Sequence, residues 1–140
     1  MAIESWEHYS HGADIGIRGF GRSPEEAFEQ VAMALTAVVA DVSGVRQAET
    51  VAIHCEAPDL ELLLVSWLNS IIYEMAVRNM LFGSYRVVLS GLSLTGTLVG
   101  ETVDPERHQV AVEAKGATVT DLKVACNKEG RWLAQCIVDV

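Results

Sequence analysis

Two places in this sequence set carboxylates at the edge of a strand. Near the start, His11-Gly12-Ala13-Asp14-Ile15-Gly16-Ile17 holds an imidazole and a carboxylate three residues apart, with two small residues between them and an alternating apolar stretch behind. Asp14 then stands at the mouth of that strand, where a carboxylate either caps a turn or supplies the first ligand of a cation site. At the far end the sequence stops at Asp139-Val140, so a side-chain carboxylate and an α-carboxylate are adjacent. Oxygen donors of this kind suit hard cations such as Ca2+, Mg2+ or Mn2+. If the first and last strands lie side by side, Asp14, Asp139 and the Val140 carboxylate meet as metal ligands. Spacing alone leaves open the alternative, a set of solvated carboxylates.

Other polar residues invite weaker readings. His8 and His11 stand close to Asp14, and two imidazoles with a carboxylate can bind zinc or iron. A strand spacing of three, however, sends the two rings to opposite faces, which favours a hydrogen-bonded, structural His11. Lys115 lies between two expected strands, where it is either a contact for a phosphate or a partner's carboxylate, or a solvated strand-end lysine. Asp104, Glu106, Arg107 and His108 form a charged loop that reads as a contact surface. The sequence has no Gly-x-x-x-x-Gly-Lys-Ser/Thr loop and no Gly-x-Ser-x-Gly elbow, so neither a P-loop nucleotide site nor that type of hydrolase is indicated.

The elements that must position these groups follow from periodicity. Residues 4–10 read as a first strand with Trp6, His8 and Ser10 on one side and Glu7 and Tyr9 on the other. Residues 14–20 alternate Ile15, Ile17 and Gly19 against Asp14, Gly16, Arg18 and Phe20. Ser23-Pro24-Glu25-Glu26 is a capping box with proline at the first helical position. Phe28, Val31, Ala32, Leu35, Val38 and Val39 then keep helical spacing to about Ala40. Residues 41–48 read as a loop and 50–56 as a strand. Asp59 caps a second helix whose Leu60, Leu63, Leu64, Trp67, Leu68, Ile71, Ile72 and Met75 make a broad apolar face, ending near Asn79. Residues 85–90 and 92–100 suggest a hairpin through Gly91, and 101–108 a polar loop. Residues 109–114 and 118–126 read as strands, 127–130 as a turn, and 131–138 as the last strand. Strands, two interposed amphipathic helices and a run of strands argue an α+β two-layer domain with a mixed β-sheet, spanning 1–140 as one unit.

The bulk properties agree with one ordinary domain. The chain has 140 residues, half of them hydrophobic, enough to bury roughly two-thirds of its unfolded surface. Ten basic residues against nineteen acidic ones give a net charge of −9. Strong direct binding of nucleic acid needs a positive face, and no basic cluster is present; a basic protein partner or a bound cation suits this charge better. Cys55, Cys126 and Cys136 form no Cys-x-x-Cys pair, which reads as buried thiols in a reducing compartment. With no apolar leader and no run approaching the ~20 residues of a membrane span, a cytoplasmic protein off the membrane is expected. Nothing in the composition reports the oligomeric state.

Taken together, several stretches resemble the archease family. His11-Gly12-Ala13-Asp14-Ile15-Gly16-Ile17 is similar to that family's His-Thr-Ala-Asp-Ile-Gly-Ile. Pro24-Glu25-Glu26-Ala27-Phe28 follows, then Leu64-Val65-Ser66-Trp67-Leu68-Asn69 with Tyr73, then Gly100-Glu101 with Asp104-Pro105-Glu106-Arg107-His108, and finally Val138-Asp139-Val140. The resemblance implies a single α+β domain that is not itself an enzyme. It implies an activator of an RtcB-type RNA ligase in tRNA splicing, promoting guanylylation of the ligase and multiple turnover. It further implies a divalent metal, calcium by the family's usual assignment, held by Asp14, Asp139 and the terminal Val140, with Lys115 as the matching lysine. His11, Lys115, Arg107 and His108 are the candidate partner contacts. Two departures stand out. Gly12 replaces a threonine, and the family's Lys-Ala-x-Thr-Tyr-His becomes Lys115-Gly116-Ala117-Thr118-Val119-Thr120, without the tyrosine and histidine.

Two other readings belong to different classes. The broad apolar helix suits a general chaperone-like binding module with no ligase dependence. A free-standing metal-dependent phosphohydrolase is the third, with few ligands to support it.

Overall fold

A computed structural model describes residues 5–140 of the chain. Glu4, placed in the first strand from the sequence, lies outside them. The elements in order are β1 (Trp6–His11), β2 (Asp14–Gly21), α1 (Pro24–Val39), a 3-10 turn (Val42–Gly44), β3 (Glu49–Glu56), α2 (Leu60–Arg78), β4 (Met80–Ser90), β5 (Ser93–Thr102), a single-turn α3 (Pro105–His108), β6 (Gly116–Ala117), β7 (Lys123–Cys126) and β8 (Trp132–Asp139).

The class is α+β, but the expected mixed sheet is not what forms. Every strand pairing described is antiparallel, and there are two sheets. The larger has the order β1-β2-β8-β6, with β7 also pairing β8; the smaller is β3-β5-β4. The reason lies in the connections. β1 to β2 and β4 to β5 are joined by tight turns at Gly12 and Gly91, both at φ 61, and tight turns join antiparallel neighbours only. β2 and β8, distant in sequence, close the larger sheet antiparallel as well.

Both helices start as the caps direct. Ser23 Oγ accepts the Glu26 N–H at 3.1 Å, and Asp59 Oδ1 accepts the Leu62 N–H at 2.8 Å. Helix α2 ends at Asn79 in the left-handed conformation, φ 54, which closes the last turn and redirects the chain into β4. Helix α1 lies on β2 and β8 and along the edge of β4; there Glu29 Oε2 accepts the Val87 N–H at 2.8 Å and Thr36 Oγ1 donates to the Phe82 carbonyl at 2.7 Å. Those side chains satisfy backbone groups that an edge strand otherwise leaves open. One continuous core runs through Ile17, Phe28, Leu35, Trp67, Leu68, Phe82, Leu94 and Leu98.

Three local expectations are corrected. Residues 109–114 form no strand: Gln109 is left-handed at φ 51, and the Ala111 N–H donates to the Val39 carbonyl at the end of α1. Of 118–126 only Lys123–Cys126 pairs as a strand, while β6 takes Gly116–Ala117 just before it. Cys55 and Cys136 are buried, but Cys126 is exposed. Burial pushes the Cys136 thiol up to about 12, so it stays protonated and unreactive.

Candidate functional site

The carboxylate corner is built by strand register. β2 pairs β8 from Gly21↔Trp132 to Ile15↔Val138, so one residue further out Asp14 comes opposite Asp139. Alternation puts Ile15, Ile17 and Gly19 on the face toward α1 together with Val138, Cys136 and Ala134, which are buried. Asp14 and Asp139 therefore share the outer face. His11 joins that face from β1, directly opposite Asp14 across the two-residue turn. Asp14 is half-buried; His11 and Asp139 are exposed. On the other side of β8, Gly116 pairs Asp139, and the Lys115 N–H donates to the Asp139 carbonyl at 2.8 Å.

Helix α2 fastens this last edge. Asn69 Oδ1 accepts the Ala117 N–H at 2.9 Å, and its Nδ2 donates to the Ala117 carbonyl at 3.2 Å. One amide thus occupies both free backbone groups of β6, as a neighbouring strand would. Lys115, two residues upstream, is placed by that clamp at the same end of the sheet as Asp14 and Asp139.

The outer face carries no helix. Tyr9 lies across Gly16, and its hydroxyl donates to Asp121 Oδ2 at 3.2 Å. The Arg18 guanidinium stands 3.9 Å over the Tyr9 ring, and Arg18 Nε donates to Gln135 Oε1 at 2.7 Å. Burial, then the Asp121 carboxylate, pushes the Tyr9 phenol up to about 12. This polar layer leaves the carboxylate corner beside it open to an approaching molecule.

His8 and His11 do fall on opposite faces. His8 Nε2 sits 2.8 Å from the Ala34 carbonyl, so the two rings do not converge on an ion. Among the described residues no three His, Cys, Asp or Glu side chains lie close enough to enclose a metal. The Asp14 and Asp139 carboxylates suit a hard cation in donor type, but two side chains fall short of the 6–8 oxygens calcium takes.

Part of the charged loop is a structural anchor, while Asp104 and Glu106 stay exposed. Glu101 and His108 are only 9% and 5% exposed. Glu101 Oε2 accepts the Arg46 N–H at 2.6 Å and faces His108 Nε2 at 2.9 Å, while Arg107 pairs with Oε1 and also donates to the Gly44 carbonyl at 2.8 Å. The Asp104 N–H donates to His108 Nδ1 at 2.7 Å, so in this arrangement the ring proton sits on Nε2 and points at Glu101. His108 thus has both nitrogens engaged and offers no surface; Arg107 is half-buried and already paired. Sequence reasoning gave Glu101 no role. Its signal was an acidic residue at a strand end shortly before an Arg-His pair.

The Arg46 N–H foremost, with help from His108 and Arg107, holds the Glu101 carboxyl down at about 2, against 4.5 ordinarily. A depressed folded value means stability that is complete above about pH 4.5 and is lost as the pH falls toward 2. Acid unfolding followed by circular dichroism should show that loss, and Glu101→Gln should flatten the curve between those limits while lowering stability at pH 7. An unchanged acid limb in the variant would contradict the anchor.

The sequence model of the Archease protein family matches residues 6–140. The protein archease of Pyrococcus furiosus is 39% identical, the match covering 99% of this chain and all of that one. The chain belongs to the archease family. The archease of Methanopyrus kandleri is 34% identical, over 96% of this chain and 99% of its own. The solution structure of Methanobacterium thermoautotrophicum protein 1598 superposes with a TM-score of 0.86 at 29% identity, covering 99% of this chain and 100% of that one. A Thermotoga maritima crystal structure, described as an archease and possible chaperone, shares the fold at TM-score 0.64 and 18% identity, over 94% of each chain.

The stretches shared with archeases each have a structural task here. His11–Ile17 makes the β1–β2 turn and the first half of the corner. Gly12 sits at φ 61 as the first turn residue, a conformation glycine adopts freely and threonine does not. Trp67 and Asn69, from the α2 stretch, fill the core and clamp β6. Val119 and Thr120 are exposed on the loop after β6.

Proposed function

We propose that this archease activates an RtcB-type RNA ligase in tRNA splicing, promoting guanylylation of the ligase and its repeated turnover in the cytoplasm, without itself being an enzyme. The observation that carries the reading is the β2–β8 register, whose last pair, Ile15↔Val138, leaves Asp14 and Asp139 as the next residues at one end, with the Lys115 N–H bonded to the Asp139 carbonyl from the other side. On this reading Asp14, Asp139 and the Val140 carboxylate hold a divalent cation, calcium by preference over Mg2+ or Mn2+. Three oxygens from one chain leave most of a calcium shell to water or to a partner. Such a half-built site suits a cation shared across an interface with an enzyme that handles phosphates. Lys115 and His11 flank it as contacts for the ligase, which is the nucleic-acid-binding member of the pair. The helper acts by binding the guanylylation-competent ligase more tightly than the idle one, and the difference in affinity sets the size of the effect.

The test is guanylylation of the cognate ligase with and without this protein. Asp14→Ala should abolish the stimulation while leaving the circular dichroism spectrum intact. In the isolated protein, calcium at about 100 times its Kd should add about 2.7 kcal/mol of stability, an increment that Asp14→Asn should remove. Full stimulation by Asp14→Ala would refute the metal corner.

One observation favours a chaperone-like second reading. A groove of about 450 Å3 between α2 and residues 109–114 is lined by Ile72, Met75, Met80, Val103, Val110 and Val112. Metal-independent suppression of aggregation of unrelated clients, unaffected by Asp14→Ala, is its discriminating result.

A further inference from the structure

A different cleft, of about 560 Å3, opens where α1 ends, and Trp6, His8, Ala37, Ala40, Asp41 and Gln109 are among its walls. Its chemistry is one-sided. Helix α1 has sixteen residues and no basic residue in its last turn, so the partial negative charge of its C-terminus, about half an elementary charge, is not offset within the helix. Asp41 follows directly. Its Oδ1 accepts the Ser43 N–H at 3.0 Å and the Ser43 hydroxyl at 2.7 Å, bonds that hold the carboxyl below its usual range. Among the described residues Asp41 forms no ion pair. No lysine or arginine lines the cleft; Arg107, which reaches the neighbouring Gly44 carbonyl, is committed to Glu101.

The remaining wall is aromatic. The Trp6 and His8 rings stand 5.3 Å apart at 44°. The Ala34 carbonyl can only accept, so His8 Nε2 carries a proton that it donates there. A carboxylate, a helix C-terminus and two aromatic rings lining one cleft with Ala37 and Ala40 favour a cation that is flat and weakly hydrated. A guanidinium fits better than an ammonium: it stacks on rings, forks onto a carboxylate, and sheds its water more cheaply.

We propose that this cleft binds a guanidinium group, stacked on Trp6 and paired with Asp41. Nothing in this assignment depends on the ligase reading. The group comes either from an arginine side chain of a partner protein or from a small free guanidine, and the two sources separate in the test. The 1H–15N spectrum of the full chain, read at the Trp6 indole and the Gln109 and Ala111 amides, is titrated with agmatine, with the peptide acetyl-Gly-Arg-Gly-amide and with acetyl-Gly-Lys-Gly-amide, at constant ionic strength. Saturable shifts with agmatine or the arginine peptide support the proposal, and the tighter of the two identifies the source. Asp41→Asn, which can still accept from Ser43, should weaken binding at least about fivefold, as loss of an ion pair of about 1 kcal/mol would. Ala37→Arg, which plants a guanidinium on the last turn of α1, should block the cleft outright. Non-saturating shifts, equal binding of the lysine peptide, or an Asp41→Asn affinity within about twofold of the parent would each overturn it.

Discussion

Trp67→Ala should remove about 3–5 kcal/mol of folding stability, the largest loss expected from any single side chain here. Trp67 has no exposed surface. Its indole N–H donates to the Phe28 carbonyl at 3.0 Å, joining α2 to α1, and its ring meets Tyr85 edge-on at 6.0 Å. Tyr85 in turn reaches Thr36 Oγ1 at 2.6 Å, whose own proton goes to the Phe82 carbonyl. Beneath the ring lies Gly96 of β5, where a Cβ would come within 2.1 Å of Trp67 Cζ3. The indole therefore lies against the smaller sheet with no space to spare, and its removal opens a cavity walled by both helices and that sheet. Urea unfolding with an unchanged slope should show a lower midpoint. Trp67→Phe should lose less, since it keeps most of the apolar contact and forfeits the single bond to Phe28. A loss below about 1 kcal/mol for Trp67→Ala would mean that the core closes over the gap and that α1 and α2 are held elsewhere.

Gly19→Ala should cost about 3 kcal/mol, the upper part of the range for overpacking, although it adds one methyl group. Gly19 faces α1 from β2. A Cβ there would stand 2.2 Å from the Val31 nitrogen and 2.5 Å from the Ala27 carbonyl oxygen. Both are helix backbone, so relief requires the whole of α1 to back away from the sheet. Gly16, three residues earlier, makes the comparison. Its Cβ would come equally near, 2.2 Å from Tyr9 Cζ, but that atom belongs to a side chain able to swing into solvent. Gly16→Ala should therefore cost only about 1 kcal/mol, the worth of the Tyr9–Asp121 bond it breaks. Its clearer readout is ultraviolet titration of the tyrosines, in which the phenol near 12 should fall back toward the ordinary 10.0. Equal losses at the two glycines would contradict the distinction between backbone and side-chain neighbours.

Local signals carried much of the fold. The capping box at Ser23 and the Asp59 cap located both main helices, because those side chains satisfy helix N–H groups within four residues of themselves. Period-two alternation assigned the faces of β1 and β2 correctly, down to the separation of His8 from His11. The same signal misled at residues 109–114, where Val110 and Val112 alternate as in a strand. On that side of β8, β6 and β7 already pair, so residues 109–114 find no strand partner there. The Ala111 amide goes to a helix end instead. Within the charged loop, His108 was misread for a related reason. A polar cluster looks like surface until the chain folds around it, and here Glu101 collects the Arg46 N–H from one stretch and Arg107 and His108 from another.

By itself the sequence determined the α+β class, both helices, the core residues Trp67 and Phe28, and membership of the archease family, since each rests on residue types within a few positions of one another or on order along the chain. Only the tertiary structure decided that Asp14 stands opposite Asp139, that Asn69 clamps β6, and that His108 faces inward. The contacts behind these placements join residues 7 to 123 positions apart. Their free energy comes from sheet register and close packing, which no local window of the chain contains.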